Sequence, residues 1–446
     1  MFRQLTLIVS LIIFSGMVVS AQQPWTLQQC IDQALKYNIQ IKQSSLNNDL
    51  NKIRVTQNTA TIFPSLNGNV SQNYNYGRNI DPITNTIITE KTESNNYSLS
   101  STLILFEGFQ LQNSLKESKL LYISSQYDLK KIQNDISLNV VNYFLQVLFN
   151  EDLMKINREQ MNVSGIQRGR MKRMFELGSV NKGNYLEFES QFSNDELKYI
   201  QAQAQYEQSL LSLTQLLELD TIKNFTILKP EIITLLFDST ENQVDPIFAM
   251  ALKNQPDIKS SEYKILSAKK NLSATKGTFY PRLFLSGSLS TYYSKKFIDP
   301  FLFTEVPFKN QFENNLGKSF GLTLQVPFFN GLSARSNVSR SRINLEQTNL
   351  NSELTKKNLY KSVQQAVLDA KASNKKLIAS QRSVDALIET FNYNQQRFDL
   401  GLINTYDYLF SKNNLANAQA NLLQAKYDYI FKIKILDFYQ GKPLTF

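Results

Sequence analysis

Phe63-Pro64-Ser65-Leu66 and Tyr280-Pro281-Arg282-Leu283 are one four-residue phrase written twice, with Pro64 and Pro281 217 positions apart. Ala34-Leu35-Lys36 and Ala251-Leu252-Lys253 stand at the same offset, so the register holds without a gap from Ala34 to Leu66. Downstream the offset becomes 223: Leu105-Phe106-Glu107-Gly108 corresponds to Phe328-Phe329-Asn330-Gly331, and Phe175-Glu176-Leu177-Gly178 to Phe398-Asp399-Leu400-Gly401. Asn181 and Tyr185-Leu186 likewise match Asn404 and Tyr408-Leu409. Self-similarity at a fixed period means one structural unit used twice. The change of offset falls between the two motif sets, where a loop absorbs it. Each copy therefore reads as helix, strand, strand, long helix, turn, helix. The expected division is 22–220 for the first repeat, 221–244 for a linker and 245–446 for the second repeat.

Four segments alternate with period two. Leu66, Gly68, Val70, Gln72, Tyr74 and Tyr76 interleave with Asn67, Asn69, Ser71, Asn73 and Asn75. Tyr97, Leu99, Leu103 and Leu105 interleave with Ser98, Ser100 and Thr102. The second copy does the same around Leu283–Leu289 and Phe320–Phe328. The strands are expected at about 65–77, 96–107, 282–294 and 318–329. Each run is about ten residues, the span a tilted strand needs to cross an outer membrane. Tyr74, Tyr76, Tyr292 and Tyr293 fall near strand ends, where an interfacial girdle sits. Four strands cannot close a barrel, and an open edge in lipid leaves backbone groups unpaired. Small barrels begin near eight strands, so the chain must associate; three copies supply about twelve.

The helical stretches are too long for a compact domain. No proline interrupts the run from Gly108 to Gly178 or from Gly331 to Gly401. In the second, Val363, Ala370, Leu377, Val384 and Phe391 recur at sevens, and Leu359, Ala366, Ser373, Ser380 and Leu387 interleave with them. That is a coiled-coil seam. A helix of about 69 residues is roughly 100 Å long. Helices of roughly half that length are expected at 26–62, 182–219, 245–279 and 405–438. Pro64 and Pro281 end incoming helices and begin strands. Gly178 and Gly401 end the long helices as left-handed caps.

Composition narrows the function. The chain has 446 residues, a formal charge of +10 and 42% hydrophobic residues; its mean hydropathy is −0.30. Met1 to Ser20 has the basic start, apolar run and small residues of a signal peptide, with Val19-Ser20-Ala21 as the cleavage site and 1–21 removed. The single cysteine, Cys30, allows no internal disulfide, and Gln28-Gln29 before it do not make a lipobox. There is no histidine, which removes the commonest general base and metal ligand. No glycine-rich phosphate loop is present. The reading is of a non-enzyme with no cofactor, no metal site and no nucleic-acid partner, because basic residues are scattered beside acidic ones. Phe446 matches the terminal aromatic of many outer-membrane barrels but follows a helix. The segment 298–315 carries Phe301, Phe303, Phe308 and Phe312; it reads as an extracellular loop, either an aromatic lid over a pore or a disordered or surface-packed loop.

The doubled Phe/Tyr-Pro-x-Leu strand starts, the Leu-Phe-Glu-Gly and Pro-Phe-Phe-Asn-Gly strand ends and the far-end turns together resemble the TolC family of outer-membrane export channels, the outer membrane factors. The resemblance covers nearly the whole mature chain. It implies a mainly α fold with membrane β: two tandem repeats giving long coiled-coil helices and four strands per chain, closed as a homotrimer into a 12-stranded β-barrel above an α-helical barrel. It implies the outer membrane of a Gram-negative bacterium, with the helices in the periplasm. The partners implied are outer-membrane lipid, a periplasmic adaptor and an inner-membrane RND or ABC transporter, as in tripartite efflux or type I secretion. The family's turn motif maps onto Arg397, Gly401, Thr405, Asp407 and Leu409. The first copy departs from it: Met174 stands at the arginine position, Lys182 replaces the Thr and Asn184 the Asp. By resemblance, Arg397, Gly401, Thr405, Leu409 and Gly178 form an adaptor-docking tip, and Asp407, Phe398, Ile403 and Asn184 a periplasmic gate. Asp407 has two readings, a threefold ring of carboxylates and an acid favoured by a helix N-terminus. The arginine that latches such an acid in relatives falls at Ile403, which implies a weakened lock. Pro64, Pro281, Gly108 and Gly331 mark the strand junctions. A periplasmic coiled-coil scaffold without a channel would explain the helices but not four matched strands. The cargo is not legible.

Overall fold

The computed structural model describes residues 24–80, 85–89, 91–220, 225–230, 243–295 and 304–445. The signal peptide, most of the linker, Phe301, Phe303 and Phe446 lie outside them. The elements in order are α1 (Leu27–Tyr37), α2 (Ile39–Ala60), β1 (Ser65–Asn75), β2 (Arg78–Ile80), β3 (Ile87–Thr89), β4 (Thr92–Glu107), α3 (Gln110–Glu176), α4 (Lys182–Leu216), α5 (Val244–Asn254), α6 (Pro256–Lys276), β5 (Arg282–Ser294), α7 (Phe308–Asn314), β6 (Gly317–Gln325), α8 (Ser333–Asp399) and α9 (Thr405–Gln440). The chain divides into two compact units. One comprises residues 1–45, 129–256 and 356–446; the other comprises 46–128 and 257–355.

The second of these holds an antiparallel sheet in the order β1-β4-β5-β6. The two repeats meet in the β4–β5 ladder, where Ser98 pairs with Ser290 and Leu99 with Leu289. Alternation sorts most of the side chains. Asn67, Asn69, Ser98, Ser100, Ser288, Ser290 and Ser319 share one face, while Leu66, Val70, Leu99, Leu285, Leu289, Phe320 and Leu322 share the other. Much of the apolar face is exposed: Val70, Phe320 and Leu322 keep 71%, 80% and 62% of their surface open. Tyr292 pairs with Asn96 on the polar side, so only Tyr293 of the two adjacent tyrosines joins the apolar face, where Tyr97 accompanies it. The register shifts between Ile104 and Phe106, a bulge at Leu105.

Several expected bounds move. β4 begins at Thr92, because the β1–β4 hairpin pairs as far as Asn75 with Thr92. β6 stops at Gln325, two residues before Pro327, which lacks the amide a ladder needs. Beyond β1 the chain adds a small β2–β3 hairpin, in which Arg78 pairs with Thr89 and Ile80 with Ile87. The incoming helices at 26–62 and 245–279 are each broken in two. Asn38 takes φ −57° and ψ 130°, and Gln255 takes φ −71° and ψ 126°. Pro256 forces the second break by excluding its predecessor from the helical region. At the first, the Asn38 side-chain oxygen accepts from the Gln40 amide at 2.9 Å, and its Nδ2 donates to the Leu216 carbonyl at 3.2 Å. The breaks fall at equivalent positions in the two copies.

The other unit is helical. Thr26 and Gln29 form a reciprocal capping box that starts α1. The main core gathers Cys30 and Ala34 of α1, Val140, Phe144 and Leu148 of α3, Leu213 of α4, and Tyr427 and Ile430 of α9. Burial pushes the Cys30 thiol up to about 12, which makes it an inert packing group. The α8 seam is real: Leu359, Val363, Ala366, Ala370, Ser373 and Val384 are buried. The middle of α3 is buried on more than one face, with both Val140 and Val141 inaccessible.

Strand joins helix through paired left-handed residues. Gly108 and Phe109 take φ 55° and 61°, and Gly331 and Leu332 take 61° and 64°. At Gly108 a Cβ would stand 2.4 Å from the Gly277 carbonyl oxygen. At Gly277 it would stand 2.6 Å from the Gly108 oxygen and 2.3 Å from Gln110 Cγ. Backbone meets backbone, and only two glycines permit it. Gly108→Ala and Gly277→Ala should each cost at least about 1 kcal/mol. Their effects should combine less than additively because they break one contact. Thermal unfolding of both single variants and the double variant in detergent measures this.

Candidate functional site: the doubled helical turn

Two turns of one construction link α3 to α4 and α8 to α9. Gly178 and Gly401 take φ 71° and 72°. The Ser179 amide donates to the Met174 carbonyl at 2.8 Å and Gly178 to Phe175 at 2.9 Å; Leu402 donates to Arg397 at 2.8 Å and Gly401 to Phe398 at 3.0 Å. Both are Schellman caps. Three residues later an asparagine begins the next helix. Asn181 accepts from the Asn184 amide, and Asn404 from the Asp407 amide, each at 2.8 Å. Gly-x-x-Asn thus stops one helix and starts another.

The structure brings both turns together around one apolar cluster. Met171, Phe188 and Tyr408 are its buried centre, with Met174, Phe391, Phe398, Ile403 and Leu409 around them. Tyr408 stacks on Phe398 with centroids 4.5 Å apart. Phe398, Ile403 and Leu409 therefore pack the tip from within. Thr405 is buried at the start of α9, and Asp407 is exposed. Arg397 lies over the Tyr393 ring, 5.5 Å from its centroid. Asn184 is half-buried. The Tyr408 hydroxyl is enclosed without a hydrogen-bond partner. Burial first, and then the Asp399 carboxylate, push its phenol above the usual range.

Three features escaped the sequence. The first is an ion pair from Arg170 of α3 to Asp399 of α8 at 3.0 Å. It joins the two copies although Ile403 occupies the position of the expected latch. Both groups are half-exposed, so the pair is worth only a few tenths to about 1 kcal/mol. The second is a pair of outward leucines at matched positions, Leu177 at 81% and Leu400 at 74% exposure.

The third is a buried polar network. Lys412 Nζ donates to Asp195 Oδ2 at 2.9 Å and to Ser164 Oγ at 2.5 Å. Ser164 donates to the same carboxylate. Gln191 Nε2 donates to Asp195 Oδ1 at 2.9 Å and exchanges bonds with Asn413. The charged side chains are 7% and 5% exposed. The network ties α3, α4 and α9 together. Its one signal in the sequence is that Lys412 corresponds, at offset 223, to Glu189 in the first copy.

Comparison with known proteins places this architecture. The model of the outer membrane efflux protein family matches residues 30–218 and 248–433. The chain belongs to that family. It is an outer-membrane efflux protein, and its work is passage and not catalysis. It is 24% identical over 351 residues to the toxin and drug export protein A of Aggregatibacter actinomycetemcomitans, covering 76% of this chain and 71% of that protein. It is 23% identical over 423 residues to the probable efflux pump outer membrane protein TtgC of Pseudomonas putida, covering 92% and 83%. Among solved structures, the Campylobacter jejuni CmeC outer membrane channel superposes with a TM-score of 0.79 at 17% identity, over 94% of this chain and 87% of that one. The CusC channel superposes with a TM-score of 0.77 at 18% identity, over 94% and 92%.

Within this efflux protein, Lys412→Met leaves the Asp195 carboxylate buried and unpaired, which should cost about 3–5 kcal/mol. Adding Asp195→Leu should restore most of the loss, since a packed apolar pair needs no solvation. Guanidinium midpoints of the three variants in detergent would show the pattern.

Proposed function

We propose that three copies of this chain form the outer-membrane exit duct of a tripartite export system, with the doubled turn as its periplasmic entrance. The observation that carries the reading is the sheet. Among the described residues, β1 and β6 pair only on their inner sides, and one face is mainly apolar and exposes Leu66, Val70, Phe320, Leu322 and Leu324. Joining β6 of one copy to β1 of the next closes twelve strands, pairs the edges and turns the apolar face to lipid. A periplasmic scaffold without a channel would leave that face in water, which soluble proteins avoid.

Cargo then enters from an inner-membrane transporter, of the RND or ABC class, through a periplasmic adaptor. The adaptor docks on the turn, against Leu177 and Leu400 and beside Gly178, Gly401 and Arg397. Thr405 and Leu409 hold the turn's shape from inside. Relatives carry names that refer to toxin and drug export, toluene and cations, which supports a duct whose selectivity belongs to the pump.

Asp407, exposed at the third position of α9 and repeated by threefold symmetry, supplies a ring of carboxylates at the entrance. Such a ring attracts cations and resists anions. Phe398 and Ile403 act by packing, and Asn184 is the neutral counterpart of Asp407. Opening separates Arg170 from Asp399, an exposed pair whose low cost suits a gate. In planar bilayers, Asp407→Ala should lower cation over anion selectivity severalfold, and Arg170→Ala should raise the mean conductance. Unaltered conductance and selectivity in Asp407→Ala would sink the ring.

A further inference from the structure

The short helix α7 lies in the segment that reads from sequence as a lid or a packed loop, and its contacts decide between them. β6 begins at Gly317 opposite Ser290, so from Thr291 to Ser294 β5 is paired by β4 on one side and has no strand on the other. Side chains of α7 and its cap take over the missing ladder. The Gln311 amide, 2% exposed, accepts from the Ser294 amide at 3.0 Å and donates to the Ser294 carbonyl at 3.0 Å. Asn315 Nδ2 donates to the Tyr292 carbonyl at 2.9 Å, and Thr291 Oγ1 to the Phe312 carbonyl at 2.8 Å. The rings complete the seat. Tyr97 meets Phe312 at 5.5 Å and Tyr293 meets Phe308 at 5.2 Å between centroids.

Tyr97, Thr291 and Tyr293 belong to the apolar face of the sheet, with Leu99, Leu285 and Leu289. The helix is therefore seated on the side away from the serine and asparagine face. Phe308 and Phe312 keep 47% and 38% of their surface open, and Leu316 keeps 44%. From Leu283 to Tyr293 the strand rises about 34 Å, or about 26 Å of thickness at a tilt of roughly 40°. That matches the apolar band of an outer-membrane barrel, about 25 Å tall. The aromatic seat falls at the upper rim of the band, where amphipathic rings prefer to lie.

We propose that α7 is an interfacial helix on the outside of the barrel, presenting Phe308, Phe312 and Leu316 to the outer leaflet at the boundary between acyl chains and headgroups, and that it is not a lid over the lumen. Lys318 lies on the same face opposite Leu289, four residues below Tyr293 along β5, from where a lysine can snorkel toward the headgroups. The inference rests on the outer-membrane placement of the family and is independent of the docking reading.

The test uses Trp25→Phe as background and adds Phe312→Trp, a change that keeps an aromatic ring in the seat. A second variant, Ser288→Trp, marks the polar face. Both are reconstituted in phosphatidylcholine vesicles containing lipids brominated either near the headgroup or deep in the chains. Phe312→Trp should be quenched at least twofold more by the shallow bromines than by the deep ones, and more by either than Ser288→Trp. Quenching of Phe312→Trp only by aqueous iodide, as for Ser288→Trp, overturns the proposal. A Gln311→Ala variant, which unseats the helix, should leave single-channel conductance unchanged, and a severalfold rise would restore the lid.

Discussion

Every strand in a membrane must find a partner on both sides, because lipid offers no hydrogen bonds to a backbone left open. Here that demand is met by repetition. One copy of the unit supplies a hairpin, β1 with β4, and the second supplies β5 with β6. The β4–β5 ladder binds them into a sheet of four, which is still short of closure. The same demand reaches into the details. Where β6 begins late, the Gln311 and Asn315 side chains supply bonds that its backbone would have made. Where the strands meet the helices, Gly108 and Gly277 let two backbones touch.

Features with a period were the legible ones. Alternation separated Asn67, Ser98 and Ser288 from Val70, Leu99 and Phe320, because a strand has only two faces. Sevens separated the α8 seam from its solvent side. The fold class, four strands and two long helices followed from those periods and from prolines and glycines at matched places. Features made by contact between distant segments were not legible. The break at Gln255 is announced by Pro256, yet the equivalent break at Asn38 depends on a bond to the Leu216 carbonyl far along the chain. Tyr292 and Tyr293 looked alike until the register assigned them opposite faces. At the tip, motif matching found both glycines, both capping asparagines and Asp407. It could not show that Phe398 and Ile403 turn inward onto Tyr408, since that depends on four helices meeting.

The tip is also where the copies stop being equivalent, and the chemistry of burial explains how. A buried charge is tolerated only beside its partner, so it must arise as a set. Lys412 requires Asp195 and Ser164, but the equivalents at offset 223 are Glu189, Ala418 and Leu387. Glu189 instead turns to the half-exposed Arg168, at 3.5 Å, and to the Tyr185 hydroxyl at 2.9 Å. One copy thus carries a lysine locked inside and the other a carboxylate held near the surface. A ring built from alternating copies then has threefold and not sixfold chemistry, although the backbone turns are alike. Removing either charged member of the buried set would strand the other, whereas the Arg170–Asp399 pair can part into water at little cost. Rigid and separable links therefore share α3: the buried network at Ser164 holds α9 against the first copy, and the exposed pair at Arg170 is free to break.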